Sequence, residues 1–150
     1  KVCLIDESVD IPFIIDQNIV NIVSRYNYDV PDEAKARAIF EWIKNNIGYC
    51  NSKAKRNYNN SVELVNLRKG ICAEMAFLYV AMARSVGLKS SYVSVERDCY
   101  NRRVAHACAV VDIGREILVD PAYNLFGVRH INYRILPDCE VINIFHHWRR

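Results

Sequence analysis

A chain of 150 residues has the length of one domain and can bury about two thirds of the surface that its unfolded form exposes. Its 51% hydrophobic and 25% charged residues sit at the usual values of about 45–50% and 25%, which excludes disordered and collagen-like classes. The net charge of +3 comes from 20 basic and 17 acidic side chains spread along the chain; no nucleic acid is expected, since that reading needs a basic stripe with interleaved aromatics.

Residues 1–150 are therefore read as one domain, and the elements follow in chain order. From 14 to 26 apolar residues fall at Ile15, Ile19, Ile22, Val23 and Tyr26, the spacing of an amphipathic helix. Asp29 and Pro31 open a second helix whose stripe is Ala34, Ala38, Ile39, Trp42 and Ile43, with Gly48 as its stop and Glu33 and Arg37 placed to pair at i, i+4. Residues 50–60 carry Asn and Lys without periodicity and read as a loop.

Asn60 or Ser61 starts a short helix to Leu67, with Glu63 where a capping box requires it, and 68–70 end it. A helix from Cys72 to Gly87 follows, apolar on nearly every side between 75 and 83, and so predicted to be the central buried helix. That nine-residue apolar run falls well short of the roughly 20 needed for a membrane span. Beyond Gly87 the period switches to two: strands are predicted over 92–95, 104–111 and 116–120, with two more over 131–136 and 141–145. Helices first and strands afterwards predict an α+β fold with a mainly antiparallel sheet and the buried helix on one face.

Six cysteines stand at 3, 50, 72, 99, 108 and 139 without a Cys-x-x-Cys pair, which disfavours a zinc ribbon or a disulfide scaffold. Cys72 is distinguished by its place at a helix N-terminus, where free backbone N–H groups amount to about half a positive charge and favour a thiolate. Taken by itself, a cysteine beside an apolar helix is more often a small core residue.

A thiolate nucleophile needs a histidine, and the histidine needs an orienting partner. His106 lies within the apolar run RVAHACAVV and Asp120 ends the run EILVD. A three-residue turn at 112–114 with Gly114 in the left-handed position pairs Val111 with Arg115 and sets His106 opposite Asp120. Residues so placed share a face with Cβ atoms about 4.5–5.5 Å apart, and a slip of one would separate them. A structural His/Asp pair is the plainer alternative. No turn brings an acidic residue to His130, and His146 and His147 lie near the C-terminus, so all three are read as surface residues. Cys99 or Cys108 with His106 makes a poor zinc set for want of a fourth ligand at a recognisable spacing, and no metal or other cofactor is expected. Arg102 and Arg103 are read as a solvated loop edge.

The order Gly70-x-Cys72-x-Glu74, a helix ending in Arg84-x-x-Gly87, then His106-Ala107 and Leu118-x-Asp120-Pro121 resembles the transglutaminase-like superfamily, whose core is papain-like. The upstream Ile39-x-x-Trp42-Ile43 helix followed by Asn46-Ile47-Gly48-Tyr49 resembles it too. The resemblance covers roughly residues 15–125. It implies a Cys-His-Asp triad on Cys72, His106 and Asp120, the same three residues that the spacing argument selects. The chain departs from the family in carrying Cys108 and Val110 where an aromatic and an acidic residue are frequent, which bears on substrate grouping.

For the oxyanion hole, the Cys72 N–H is the first donor. Papain-like enzymes place an amide side chain before the nucleophile, which makes Asn66 a candidate second donor, or else a capping or surface residue; Tyr49 and Trp42 are alternatives. The resemblance thus implies a thiol enzyme acting on an amide bond of a peptide or protein through a thioester. Hydrolysis is favoured by the lack of the extra domains of large animal transglutaminases and of an EF-hand loop. Transfer to an amine, or a binding module that keeps the fold without turnover, remain the alternatives.

Overall fold

The computed structural model describes residues 10–26, 29–50 and 57–149. In chain order it contains α1 (Gln17–Val23), a 3-10 turn (Ser24–Tyr26), α2 (Asp32–Asn46), β1 (Gly48–Tyr49), α3 (Ser61–Leu67), β2 (Lys69–Gly70) and α4 (Cys72–Ser85). Then follow β3 (Ser90–Arg97), β4 (Arg103–Asp112), β5 (Glu116–Asp120), β6 (Leu125–Val128), β7 (Asn132–Ile135) and α5 (Asp138–Trp148). The fold is α+β. A five-stranded antiparallel sheet in the order β6-β5-β4-β3-β7 packs one face on α4, while β1 and β2 form a separate parallel pair.

The helices start where side chains satisfy the free N–H groups of their first turns. Asp16 accepts from the Ile19 N–H at 2.9 Å. Asn60 and Glu63 make the reciprocal capping box of α3, each side chain accepting the other's backbone N–H at 2.9 Å. Arg68, in the left-handed conformation at φ 63°, stops that helix. α4 is buried on every residue from Ala73 to Ala83, as its uninterrupted apolar character predicts, and its side chains meet Tyr92, Ala107, Ala109, Val111 and Val119 of the sheet in one core. No helix among the described residues is long and apolar enough to cross a membrane.

The opposite face of the sheet buries a second cluster of Val93, Val95, Cys108, Val110, Leu118 and Val128. Chain length explains how that face is enclosed. The step from Val128 to Asn132 spans at most about 14 Å, whereas the edges of a flat five-stranded sheet lie about 19 Å apart. The sheet therefore curls, and residues 129–131 cross from its β6 edge to its β7 edge as a strap.

Several expectations change. The segment 141–145 is part of α5, not a strand: Pro137 precedes the helix, Asp138 and Glu140 lie in its first turn, and the buried residues Val141, Ile142 and Phe145 follow helical spacing, of which 141 and 145 also satisfy an alternating pattern. The buried stripe of α2 is Ala36, Ile39, Phe40 and Ile43, with Ala34 exposed. Glu33 and Arg37 turn to other elements: Glu33 accepts from Arg115 at 3.3 Å and Arg37 lies 4.4 Å over the Phe126 ring. Of the 50–60 loop, residues 51–56 lie outside the described residues; Asn59 is anchored by its N–H and side-chain amide to Glu74.

Candidate active site

Cys72 is the first residue of α4, and three local features hold it there. The β1–β2 ladder pairs Tyr49 with Gly70, and the Cys50 N–H donates to the Gly70 carbonyl at 2.7 Å. At Gly70 a side chain is excluded, because a Cβ would collide with Leu64 and press on Glu74. Glu74, fully buried in the first turn, accepts from the Ile71 N–H at 2.9 Å and ties Asn59 to the same point. Its charge also suits the N-terminal end of the helix.

His106 on β4 and Asp120 at the end of β5 meet at 2.7 Å, Nε2 to Oδ2, with both side chains nearly or fully buried. The register that brings them together is not the expected one. The turn is 113–115 rather than 112–114: Asp112 stays in the ladder opposite Glu116, and Val111 pairs with Ile117. The Asp112 carboxylate accepts from the Gly114 N–H at 2.9 Å, and Gly114 takes the left-handed φ of 99°. Carrying this register onward sets Asp120 opposite Cys108, so His106 is its diagonal neighbour. A shift of two residues preserves the face where a shift of one would have lost it. Long side chains bridge that diagonal.

The Cys72 side chain also lies beside the His106 ring, close enough to act on its charge. Since Nε2 serves Asp120, Nδ1 is the ring atom left for the sulfur. Burial by itself would disfavour the imidazolium, but the bond to Asp120 and the neighbouring Cys72 outweigh it and raise the pKa of His106 to about 9. Tyr123 stacks on the ring at 4.3 Å between centroids. Its hydroxyl donates to the buried Asp98 at 2.7 Å, and burial together with that bond pushes its pKa up to about 12. Burial opposes ionisation of Asp98, but bonds from the Arg102 N–H, the Tyr123 hydroxyl, the Tyr100 N–H and the Arg102 guanidinium outweigh it and hold its carboxyl well below the usual range. Arg102 is thus a partner of Asp98 rather than a free loop cation.

His130, expected at the surface, is buried in the strap with its Nε2 2.7 Å from the same Asp120 Oδ2. No sequence signal short of the sheet order could have found it, because its contacts depend on the curl that lets residues 129–131 pass over Asp120. His106, Asp120 and His130 offer ligand-type atoms within 4.8 Å of one another, but two of those separations are 2.7 Å. Ligands around a tetrahedral zinc with bonds of about 2.0–2.1 Å lie about 3.3 Å apart. The spacing is that of hydrogen bonds.

Of the proposed oxyanion donors, Asn66 is exposed near the end of α3 and makes no hydrogen bond among the described residues. Trp42 packs against the core. Tyr49 lies beside Cys72: its pKa is raised by burial and by the neighbouring Cys72, Asp120 and Cys50, with the Cys72 N–H acting weakly the other way. Tyr58, whose pKa is raised by burial and by Cys72, stacks on Trp148 at 5.9 Å and forms a further aromatic wall. Cys50, Cys72, Cys99 and Cys108 are free thiols, burial pushing the Cys108 thiol up, and Cys139 is disulfide-bonded.

The architecture has counterparts among solved structures. A candidate cysteine protease from Cytophaga hutchinsonii superposes with a TM-score of 0.61 at 20% identity, over 87% of this chain and 48% of its own. A candidate protease from Parabacteroides distasonis gives 0.57 at 12% identity, over 80% and 28%. Legionella pneumophila LapG gives 0.56 at 11% identity, over 84% and 87%. The chain thus spans about half the length of the first and just over a quarter of the second. No curated protein sequence matches it. The family model of the transglutaminase-like superfamily matches residues 21–121, a span that takes in Cys72, His106 and Asp120; the chain belongs to that superfamily.

Proposed function

We propose that the chain cleaves amide bonds of peptides or proteins through a thioester on Cys72, with His106 as acid and base and Asp120 as the group that orients it. The observation that carries this reading is the His106–Asp120 hydrogen bond of 2.7 Å, closed off from water on the carboxylate side, with Cys72 beside the His106 ring. The Cys72 sulfur, as thiolate, attacks the carbonyl carbon and forms the C–S bond. The imidazolium of His106 gives its Nδ1 proton to the departing nitrogen as the C–N bond breaks. Water then attacks the thioester, His106 takes its proton, and the C–S bond breaks to release the acid and restore the ion pair. Throughout, Asp120 holds the Nε2–H and stabilises the imidazolium.

The developing oxyanion is received by the Cys72 N–H and, in this reading, by the Tyr49 hydroxyl, which lies near Cys72 and can turn its proton toward the substrate. Tyr49 serves this role better than Asn66, which has no contact linking it to the sulfur. Hydrolysis is preferred to amine transfer because two of the structural neighbours carry protease names.

The test is trapping. Peptide mixtures incubated with the protein, with and without an amine donor, should yield an acyl adduct on Cys72 by mass spectrometry and shorter peptides without need of the amine. Cys72→Ala should abolish both. Products formed only with the amine present would assign a transferase, and no adduct with any peptide would favour a binding module.

A further inference from the structure

We propose that His130 is a positioning residue of this site, holding the Asp120 carboxylate in the orientation that serves His106. The inference rests on the Cys72–His106–Asp120 reading above. His130 is not a generic buried histidine. Its Nδ1 accepts the Cys99 N–H at 3.0 Å, so in the neutral ring the proton resides on Nε2, and that N–H points at Asp120 Oδ2 from 2.7 Å. The tautomer is thus fixed by the β3–β4 turn, in which Cys99 lies, and the donor is delivered to the same oxygen that receives His106.

A carboxylate bonded only to the group it steers can rotate with that group. Asp120 does not have this freedom. The Tyr123 N–H donates to its Oδ1 at 3.0 Å and the His130 N–H to its Oδ2, so both oxygens are held by groups that take no part in proton transfer. The His130 ring also sits edge-on to His106 at 5.7 Å and to Tyr123 at 5.4 Å, filling the space into which Asp120 or His106 would turn. An apolar side chain could fill the strap without the desolvation cost of an imidazole; what the imidazole adds is a donor and an acceptor aimed in fixed directions.

The groups facing His106 are Cys72 from α4, Asp120 from β5, Tyr123 from the β5–β6 turn and His130 from the strap. Cys108 lies two residues along β4, Asp98 stands behind Tyr123 with Arg102, and Tyr49 adjoins Cys72 from β1. Removing His130 changes none of their charges, so any movement of the His106 titration in such a variant reports the aim of Asp120.

The experiment is the pH dependence of Cys72 alkylation by iodoacetamide, mapped by mass spectrometry on the full chain, for wild type and for His130→Leu, His130→Gln, His130→Asn and His106→Ala. The wild type should alkylate already at about pH 6 and show a further alkaline transition from His106, and His106→Ala should replace this profile with the single thiol ionisation near the ordinary value of about 8.5. His130→Leu should move the His106 transition down by about one pH unit as Asp120 loses its fixed orientation. His130→Gln, whose amide can accept from Cys99 and donate to Asp120, should leave it within a few tenths. If the Leu variant does not fold, His130→Asn, too short to span both partners, should shift the transition where Gln does not. A transition unmoved in Leu or Asn, or moved equally by Gln, overturns the role of His130 while leaving the triad standing. A wild-type profile that His106→Ala does not alter overturns both.

Discussion

Tyr49 pairs with Gly70 in the two-residue β1–β2 ladder, and this places a phenol from one end of the helical region against the first peptide of α4. The ladder is short, yet the strand that ends at Gly70 leads directly into Cys72, so the position of Tyr49 is tied to that of Cys72. Tyr49→Phe removes the O–H and keeps the ring. Loss of one oxyanion donor costs about 10²–10³ in turnover. The expected outcome is a fall of at least about tenfold in acyl-enzyme formation on a cleaved peptide, with Cys72 alkylation unchanged. Equal loss in both assays would make Tyr49 a packing residue.

Gly70 itself has no room for a methyl group, since a Cβ meets Leu64 and Glu74. Gly70→Ala forces one of them aside, and overpacking of this kind costs about 1–3 kcal/mol. Urea unfolding should register that loss, and Cys72 should alkylate more slowly because Glu74 no longer holds the start of α4. An unchanged midpoint would show that the neighbourhood yields freely.

The raised pKa of His106 has a stability counterpart. Its folded value of about 9 lies above the ordinary 6.5, so the stabilisation is complete below pH 6.5 and is lost as pH rises through 9, on the order of 3 kcal/mol in all. Unfolding free energies at pH 6 and pH 9.5 should differ by that order in the wild type and by much less in His106→Gln. A difference of the same size in both would trace the pH dependence to other groups.

Asp120→Asn removes the anion that outweighs the burial of His106. Burial then acts unopposed by that charge, and the His106 titration, followed by the ring NMR signal, should fall from about 9 to below its ordinary 6.5. The amide must also turn its NH2 either toward the Tyr123 N–H or toward the His106 and His130 N–H groups, so a loss of a few kcal/mol in stability is expected. A titration that stays near 9 would mean that Asp120 does not set the charge of His106.

Local signals were legible in the sequence wherever the physics is local. The α3 capping box needs only Asn60 and Glu63 three residues apart, and the burial of α4 needs only its unbroken apolar run. The sequence pattern places the β4–β5 turn one residue early, yet His106 and Asp120 still meet, because the resulting shift of two residues leaves both side chains on the same face. Segment 141–145 resembles a strand because Val141 and Phe145 fit both periods, and the Pro137 and Asp138 start signal decides for the helix. His130 and Tyr49 came from longer range. One depends on a sheet whose edges are bridged by a three-residue strap, the other on a two-residue parallel ladder, and neither leaves a periodic trace. Asn66 illustrates the reverse: its distance along the chain suited an oxyanion donor, but α3 turns its side chain to solvent.

In the proposed mechanism the helix N-terminus, His106 and Asp120 together make Cys72 the reactive thiol of this protein. Limiting iodoacetamide at pH 6.5, followed by peptide mapping, compares Cys72 directly with Cys50, Cys99 and Cys108, all free in the fold. Label should accumulate on Cys72 at least about tenfold faster than on the others, and His106→Ala should abolish that preference. Label that distributes according to exposure alone, or a preference that survives His106→Ala, would contradict it.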